Sequence, residues 1–384
     1  MKGVTKENIK KYALNEFLTE YKELNTDNKY RPVAVGRYGI RKRESIYSKE
    51  LAKDYSKNKL IHKGTLTVGM GSKQIDIGIL IEDETFAVSP AYHTYEIQGI
   101  RCKYLEYCLQ SKNIEMFSLY AKRGSRQGKS VDLKRWLTYK IPVYSEKDQI
   151  VIEENLNKIN YVIELRRKQI DLLDELVKAR FVEMFGDPVI NDKKWLTVSV
   201  ENLCDEIYGG GTPSKAHKEY YENGDIPWVS SKDMKTDVLT DSQIKINQLG
   251  IENSTARLVP VNSVIMVIRS GILKHTLPVA INAVPITVNQ DLKVFIPGNK
   301  ITPRFLAMQF KMHEKSILFG VRAVTADNIE FNSLKARKMI VPPLELQNQF
   351  ASFLEEIDKS RSRIQKSLEA SQELFDSLMQ EYFG

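Results

Sequence analysis

The side chains of this sequence that could do chemistry are cationic, amide and small hydroxyl groups gathered at predicted turns. Arginine and lysine bind phosphates and guanine edges, and asparagine or glutamine can form two hydrogen bonds to adenine. These residue types indicate nucleic-acid contact, although a solvated loop charge or a capped turn explains any single one equally well. The candidate DNA-contacting residues of the first half are Arg37, Tyr38, Arg41, Lys42, Arg43, Lys73, Gln74, Arg123, Ser125, Arg126, Gln127 and Lys129. Those of the second half are Thr212, Ser214, Lys215, Ser230, Ser231, Lys232, Arg269, Ser270, Lys274, Asn289, Gln290 and Arg322.

Complete catalytic motifs are missing from the sequence. Residues 69–71 form a bare Gly-x-Gly, which a turn explains better than a cofactor loop. Residues 209–215 imitate a phosphate-binding loop, but they lack its second glycine, and Pro213 would interrupt the cradle of backbone amides. Residues 291–293 resemble a nuclease fragment without a partner acid, and the Asn/Asp-Pro-Pro-aromatic motif of amino-methyltransferases does not occur. We therefore expect no catalytic residue in this chain.

The cysteines and histidines predict neither a metal site nor a disulfide framework. Cys102, Cys108 and Cys204 form no metal-ligand spacing with the five scattered histidines. No apolar run is long enough to span a bilayer, and the charged start of the chain is unlike a secretion signal. We expect a reduced, cytoplasmic protein with buried thiols and no membrane partner.

The net charge of +8 is unevenly distributed along the 384 residues. Residues 146–185 carry 9 acidic and 7 basic groups, and residues 345–384 carry 8 and 4, so these two segments sum to −6 and the rest to +14. Residues 29–59 alone carry ten basic and three acidic groups, and residues 122–140 carry seven and one. The basic charge suits a polyanionic partner, with a solvated basic face as the alternative, and leaves the acidic segments for protein contacts.

These acidic segments lie in a repeat. Residues 141–186 align with residues 339–384 without a gap at an offset of 198, and ten of the 46 positions are identical. In each copy, positions that step by 4 and 3 are apolar in eight of ten cases, which predicts a long helix with a coiled-coil seam. The seam positions are Ile152, Leu156, Ile159, Ile163, Arg166, Ile170, Leu173, Val177, Arg180 and Met184, then Phe350, Leu354, Ile357, Arg361, Ile364, Leu368, Ser371, Phe375, Leu378 and Tyr382.

The segments before the two helices share one pattern of predicted elements. Residues 26–140 read as strands and turns followed by a helix over 104–120, and residues 195–338 read the same way, with a helix over 302–319. Residues 1–25 predict a short amphipathic helix. Trp228 fits the core better than a stacking surface. The chain is therefore predicted to be a tandem duplication of the type unit–helix–unit–helix.

Several short motifs accompany the duplication. Each helix opens on a related segment, residues 141–149 and residues 340–347. The second unit carries GGTPS at 210–214, G-x-IPW at 224–228 and NQDL at 289–292, whereas the first unit lacks equivalents of the first two. In order and duplication, these motifs make the chain resemble the specificity (S) subunit of type I restriction–modification systems.

The resemblance implies an α+β fold with two mixed α/β target-recognition domains, separated by two long antiparallel coiled-coil helices in a pseudo-twofold tandem repeat. The implied boundaries are 1–140 for the first recognition domain, 141–186 for the first helical spacer, 187–338 for the second recognition domain and 339–384 for the second spacer.

The resemblance also implies a function without catalysis. The chain would read a bipartite target in double-stranded DNA with an unread spacer, and would dock two adenine-methyltransferase subunits and, in some systems, two restriction subunits. It would bind no cofactor itself: S-adenosylmethionine would lie in the methyltransferase, and ATP and Mg in any restriction subunit. The helix residues predicted to support docking are Leu156, Ile159, Ile163, Ile170, Leu173, Leu354, Ile357, Ile364, Leu368 and Phe375.

Two further hypotheses belong to other functional classes. A coiled-coil scaffold with basic domains could bind RNA or another polyanion without reading sequence. A methyltransferase or nuclease acting alone is opposed by the missing motifs.

Overall fold

The computed structural model describes residues 9–36, 39–46, 54–123, 129–319 and 328–384, with backbone only at positions 123 and 129. These residues form a mixed α/β fold with two compact units. Unit 1 comprises residues 1–168 and 365–384, and unit 2 comprises residues 169–364. Each unit includes one part of each predicted helical spacer, and the four segment boundaries inferred above stay predictions. No helix among the described residues is long and apolar enough to cross a membrane.

Unit 1 is built on a four-stranded antiparallel sheet. The strands of this unit are β1 (Lys10–Ala13), β2 (Leu18–Glu20), β3 (Val33–Gly36), β4 (Gly39–Lys42), β5 (Lys59–Ile61), β6 (Thr65–Met70), β7 (Ile75–Ile79), β8 (Phe86–Val88), β9 (His93–Ile97), β10 (Ala121–Arg123), β11 (Lys129–Val131) and β12 (Lys140–Val143). The sheet has the order β2-β9-β6-β7, and four two-stranded pairs, β1-β12, β3-β4, β5-β8 and β10-β11, surround it. Short 3₁₀ turns occupy Leu14–Glu16 and Arg43–Ser45.

The helices of unit 1 cover the sheet. They are α1 (Cys102–Ser111), α2 (Asn113–Tyr120), α3 (Leu133–Trp136) and the first part of α4 (Glu146–Phe185). The prediction of helix over 104–120 is confirmed, with a break at Lys112, between α1 and α2. The α1 side chains Tyr104, Leu105 and Leu109 are fully buried because an amphipathic helix places such residues on one face against the sheet.

The predicted amphipathic helix over residues 1–25 is wrong for the part of that segment that is described. Strands β1 and β2 occupy it instead, with Tyr12 paired to Ile141 and Leu18 paired to Ile97. Backbone pairing with strands far along the chain decides the conformation here, and local hydrophobic periodicity does not report such pairing. Leu14 is fully buried in the 3₁₀ turn between the strands.

Unit 2 is formed by a second set of elements. Its strands are β13 (Thr197–Ser199), β14 (Cys204–Gly209), β15 (Ile226–Val229), β16 (Val238–Leu239), β17 (Lys245–Ile246), β18 (Val264–Val267), β19 (Val279–Asn282), β20 (Thr287–Val288), β21 (Leu292–Pro297) and β22 (Lys338–Ile340). Its helices are the last part of α4, then α5 (Val200–Leu203), α6 (Gln248–Glu252), α7 (Pro303–Met312), α8 (Glu314–Leu318), α9 (Phe331–Ala336) and the first part of α10 (Leu344–Phe383). Lys218–Tyr220 and Gly271–Lys274 are 3₁₀ turns.

The sheets of the two units have matching topology. The order β14-β21-β18-β19 of unit 2 repeats the order β2-β9-β6-β7 of unit 1, and β16 extends the edge in unit 2. The pair β13-β22 repeats the pair β1-β12, and Lys140 and Lys338, the first residues of β12 and β22, stand 198 positions apart. The parallel bridge between Pro32 and Ala87 corresponds to the parallel pair β15-β20. The topology therefore agrees with the predicted tandem duplication.

The predicted seam on the two long helices is confirmed by burial. All ten seam positions of α4 and all ten of α10 are buried or half-buried. By contrast, all the remaining positions of α4 between 157 and 180 are exposed. In unit 1, Tyr107 of α1 packs edge-on against Phe375 of α10, with ring centroids 6.1 Å apart. In unit 2, Phe181 of α4 packs against Phe350 of α10 at 5.5 Å. In each unit, the seam side chains thus contribute to that unit's own core.

Candidate nucleic-acid interface

In unit 2, three predicted DNA-contacting segments follow strands that end close together. Strands β15 and β20 are parallel, with Val229 paired to Val288. The Asn289 amide donates to the Val229 carbonyl at 2.9 Å, and the Ile268 amide, just after β18, donates to the Asp291 carbonyl at 2.9 Å. The segments that begin at positions 230, 269 and 289 are therefore held next to one another, because the carboxyl ends of parallel strands meet at one edge.

The glycine pair of the GGTPS motif allows a fourth segment to reach this edge. A Cβ at Gly210 would lie 2.0 Å from the Val288 carbonyl oxygen, and one at Gly211 would lie 2.3 Å from the Thr255 carbonyl carbon. The Gly211 amide donates to the Val288 carbonyl at 3.0 Å, and the Trp228 indole Nε1 donates to the Gly211 carbonyl at 3.0 Å. Glycine is required here because two backbones approach each other closely.

This close approach brings residues from two different motifs into contact. The exposed Thr212 hydroxyl donates to the side-chain oxygen of Gln290. The sequence predicts DNA contact for each of these residues separately, and the structure brings them together. Trp228 is 6% exposed and belongs to a small cluster with Ile246 and Ala256, as the prediction of a core position requires.

Arg269 and Asp291 form an ion pair at the same edge. The Arg269 Nε and Nη2 atoms lie 2.7 and 2.6 Å from one carboxylate oxygen of Asp291. The other oxygen of Asp291 accepts from the Asn289 side-chain amide at 3.2 Å. The Arg269 side chain is 49% exposed and that of Asp291 25%, so the guanidinium reaches solvent while the carboxylate stays behind it.

Asn289, one of the predicted DNA-contacting residues, is buried in the loop. Asn289 is 7% exposed. Its amide nitrogen donates to Asp291 Oδ2, and its amide oxygen accepts from the Asp291 backbone at 3.1 Å. Both the nitrogen and the oxygen of the Asn289 side chain therefore form hydrogen bonds inside the loop, and Asn289 stabilises the turn. The side chain of the neighbouring Gln290 is exposed.

The predicted serines of unit 2 have local hydrogen bonds of their own. The Ser230 hydroxyl donates to Asp233 at 2.8 Å, and Ser270 caps the turn that follows it by accepting from the Ile272 amide at 3.4 Å. Ser214 accepts from the Ala216 amide at 3.3 Å, while Ser231 is half-buried. The predicted lysines with exposed side chains are Lys215, Lys232 and Lys274.

In unit 1, the described candidates lie on one hairpin and one turn. Arg41 and Lys42 are exposed on β4, and Arg43 is half-buried at the start of the following 3₁₀ turn. The hairpin β3-β4 packs on β7, at whose start the turn residues Lys73 (exposed) and Gln74 (half-buried) lie. These cations therefore occupy one edge of the unit 1 sheet.

Several candidates fall outside the described residues, and others are described in part. Arg123 and Lys129 lie in the paired strands β10 and β11, where the sequence predicts a loop, and only their backbones are described. The candidates outside the described residues are Arg37, Tyr38, Ser125, Arg126, Gln127 and Arg322.

A cavity of 540 Å³ in unit 1 is a feature that the sequence did not predict. Val35, Arg43, Met70, Tyr92 and His93 are among its lining residues. Burial, and then the charge of a nearby lysine, lower the pKa of the His93 imidazole below its usual value. At the offset of 198, the positions of Tyr92 and His93 correspond to Gln290 and Asp291, so the cavity lies where unit 2 has its loop cluster. The cavity could not be predicted from the sequence, because its lining residues are mostly apolar and come from separate segments of the chain.

The thiols and carboxylates of the described residues show no sign of a reactive centre. No group of three or more His, Cys, Asp or Glu residues within the described ranges could hold a metal ion. Burial raises the pKa of the Cys108 and Cys204 thiols to about 12, which leaves both as unreactive thiols at neutral pH.

The residues predicted to support subunit docking are mostly turned inward. Leu156, Ile159 and Ile163 are at most 8% exposed, and Ile357 is also 8% exposed. The remaining predicted docking residues, Ile170, Leu173, Leu354, Ile364, Leu368 and Phe375, are half-buried. Leu156, Ile159 and Ile163 belong to the core of unit 1, on which Leu368 and Phe375 also pack, and Leu354 packs on the core of unit 2.

Comparison with known proteins finds similarity to one family. Residues 192–372 match the family model described as Type I restriction modification DNA specificity domain. The chain is 34% identical over 169 residues to the EcoR124I/EcoR124II specificity subunit of Escherichia coli, which covers 44% of this chain. It is 23% identical over 302 residues to the MjaIX specificity subunit of Methanocaldococcus jannaschii, covering 73% of this chain and 68% of that protein. The chain is therefore similar to type I specificity subunits, and residues 192–372 match their DNA specificity domain.

The resemblance inferred from the sequence is thereby confirmed. Among solved structures, the S subunit of a type I restriction–modification system from M. genitalium matches 100% of this chain and 98% of its own, with a TM-score of 0.58 and 14% identity. A structure described as showing complex assembly and conformational transition of the type I R-M system matches with a TM-score of 0.56 and 14% identity. These likenesses establish the fold. The alignment with the E. coli specificity subunit spans 42% of that protein.

Proposed function

We propose that this chain acts as a type I specificity subunit that reads a bipartite DNA target, one half with each unit, and leaves a spacer between the halves unread. It contributes recognition and no catalysis. Two adenine-methyltransferase subunits dock on the helices and supply S-adenosylmethionine chemistry at one adenine in each half. Where restriction subunits join the complex, they supply ATP- and Mg-dependent cleavage.

One observation carries this proposal: the two units repeat one sheet topology and carry different polar residues at the equivalent edge. In unit 2 that edge holds Gln290 and Asp291, whereas the equivalent positions of unit 1 are Tyr92 and His93 beside a cavity. A shared scaffold with different side chains at one edge is what two readers of different short sequences require. The cationic residues around both edges supply attraction to the phosphates.

The long helices determine the spacer in this proposal. A helix of 40 residues, such as α4, extends about 60 Å at about 1.5 Å per residue. This length is more than enough to span half-sites about one helical turn of DNA, or about 34 Å, apart. The helices would then determine the length of the spacer, and the units would determine which bases are read.

The outward faces of the long helices suit partner docking. In unit 1, Tyr161 and Leu165 of α4 are 66% and 42% exposed, and in unit 2, Leu172 and Leu176 of the same helix are 50% and 48% exposed. Their spacing of 4, 7 and 4 residues places all four on one face of the helix, because these steps are close to whole helical turns. Exposed apolar residues in such a series are typical of a surface that a partner helix covers.

An exchange of recognition segments tests the proposed function. Residues 187–338 would be replaced by the corresponding segment of another type I specificity subunit, and the methylated sequence would be mapped in cells that also contain the methyltransferase. We expect one half of the target to change, while the other half and the spacer stay as they were. Exchange of a surface segment of equal charge in α10 serves as the control and should leave both halves unchanged. A change in both halves would contradict separate reading by the two units.

A further inference from the structure

Asp291 is not among the residues that the sequence predicts to contact DNA, yet it forms an ion pair with the half-exposed Arg269 and is itself anchored by hydrogen bonds. Its backbone carbonyl accepts from the Ile268 and Arg269 amides at 2.9 and 3.3 Å. Its backbone amide donates to Asn289 at 3.1 Å, and its carboxylate accepts from the Asn289 amide at 3.2 Å. Four hydrogen bonds therefore hold Asp291 in place, three through its backbone and one through its carboxylate.

The carboxylate in turn orients Arg269 in a specific way. Both contacts to Asp291 use the edge of the guanidinium that carries Nε and Nη2, at 2.7 and 2.6 Å. The other edge, with Nη1 and the second hydrogen of Nη2, is directed away from the carboxylate by the planarity of the group. Arginine binds guanine through two parallel hydrogen bonds to O6 and N7, which needs one complete edge of the guanidinium.

Two physical arguments oppose a purely structural role and a phosphate-binding role. An exposed salt bridge contributes at most about 1 kcal/mol to stability, so stability alone does not explain the anchoring around Asp291. A phosphate contact benefits from the full positive charge, whereas Asp291 neutralises the charge of Arg269. A neutralised guanidinium with a fixed orientation keeps the geometric selectivity of a base contact and loses much of the nonspecific attraction.

We propose that Asp291 is a positioning residue that holds Arg269 for two hydrogen bonds to one guanine in the half-site read by unit 2. This inference rests on the proposed function. It is confined to unit 2, because the positions equivalent to Arg269 and Asp291 at the offset of 198 are Gly71 and His93. The exposed Gln290, which accepts a hydrogen bond from the Thr212 hydroxyl, precedes Asp291 in the chain.

The test uses the complete complex of this chain with its methyltransferase and duplexes that contain the mapped target. Each guanine is replaced in turn by 7-deazaguanine, which lacks the N7 acceptor. We expect the wild-type complex to lose affinity about 10- to 100-fold at one guanine of the unit 2 half-site. Asp291→Asn and Arg269→Lys should bind the unmodified target correspondingly more weakly and should no longer respond to 7-deazaguanine at that position.

Controls separate a positioning role from a folding defect. Asp358→Asn removes the carboxylate of a similar pair with Arg304, at 2.8 Å, that lies between α7 and α10, and it should keep the wild-type response. The double variant of Arg269 and Asp291 should bind no more weakly than Arg269→Lys alone, because the carboxylate acts through the arginine. Responses to 7-deazaguanine in the other half-site should be unchanged in every variant.

The outcomes distinguish this inference from the proposed function. Wild-type binding without sequence preference would overturn both. Sequence-specific binding in which no guanine of the unit 2 half-site responds to 7-deazaguanine would overturn the inference alone. The inference would also be overturned if Asp291→Asn kept the wild-type response, or if it weakened binding equally on all duplexes, since either result makes the ion pair structural.

Discussion

Gln149 and Gln347 form the same two hydrogen bonds, each near the start of its long helix. Gln149 donates to the Tyr144 carbonyl at 2.9 Å, and Gln347 donates to the Pro342 carbonyl at 2.9 Å; these acceptors stand 198 positions apart, as the glutamines do. Each glutamine also accepts from the backbone amide of the residue that precedes α1 or α7, Arg101 or Thr302. The duplication therefore preserves a connection between each long helix and its recognition unit.

Loss of this connection should destabilise its unit. Gln347 is fully buried, so Gln347→Leu would leave the Thr302 amide and two carbonyls without their partner. We expect a loss of about 1–3 kcal/mol in the free energy of unfolding, measured by urea denaturation. Gln365→Leu, at an exposed position of the same helix, is the matched control and should change stability by less than about 0.5 kcal/mol. Equal effects of both substitutions would contradict a special role for Gln347.

The indole nitrogen of Trp228 should stabilise the loop that contains Gly211 and Thr212. Trp228→Phe keeps the ring in the core and removes the hydrogen bond to the Gly211 carbonyl, at a cost of about 1 kcal/mol. Because the same loop carries Thr212, we also expect weaker target binding, measured with labelled duplexes. Trp195→Phe, which removes a hydrogen bond to the Phe185 carbonyl away from this edge, should destabilise unit 2 similarly without changing which bases are preferred.

His313 should make the stability of unit 2 depend on pH. It is 3% exposed, and burial, then the nearby Arg337, lower the pKa of its imidazole to about 4. The unfolded chain binds this proton near pH 6.5, so the stabilisation is complete above that pH and is lost as the pH falls towards 4. The loss is up to about 3 kcal/mol. Urea denaturation of His313→Asn between pH 7 and 4 should show a weaker dependence; an unchanged dependence would assign the effect to other groups.

The buried face of α4 should contribute to protein stability, and its exposed face should contribute to methyltransferase binding. Leu156 is fully buried, so Leu156→Ala should cost about 3 kcal/mol of stability. Leu172 is 50% exposed, and Leu172→Ala should leave stability within about 0.5 kcal/mol of wild type while weakening methyltransferase binding, measured by calorimetry. Unchanged methyltransferase binding by Leu172→Ala would place docking on another surface.

The long helices and their seam could be predicted reliably from the sequence. A heptad spacing reflects a contact that repeats along one helix, and all twenty predicted seam positions are at least half-buried. The strands β1 and β2 could not be predicted in the same way, since Tyr12 and Leu18 depend on partners that are distant in the chain, Ile141 and Ile97. Apolar residues at helical spacing there predicted the wrong element.

The candidate site was predictable in position and less so in detail. The GGTPS, IPW and NQDL motifs do lie together. The absence of a Cβ at Gly210 and Gly211 allows the backbone of the GGTPS loop to approach its neighbours closely. Residue type alone, however, does not reveal that the Asn289 amide is buried and used within the loop. Residue type also argues against Asp291 as a DNA-contacting residue, because an acidic group repels phosphates, and only its geometry with Arg269 suggests a role.

The most direct test of the central claim is a genome-wide map of methylated adenines. The chain would be expressed with the methyltransferase encoded beside it in a bacterial host that lacks adenine methylation. We predict a single interrupted motif, with one methylated adenine in each half, which disappears when this chain is omitted. Methylation that persists without the chain, or that follows one uninterrupted sequence, would contradict the proposal that this chain selects a bipartite target.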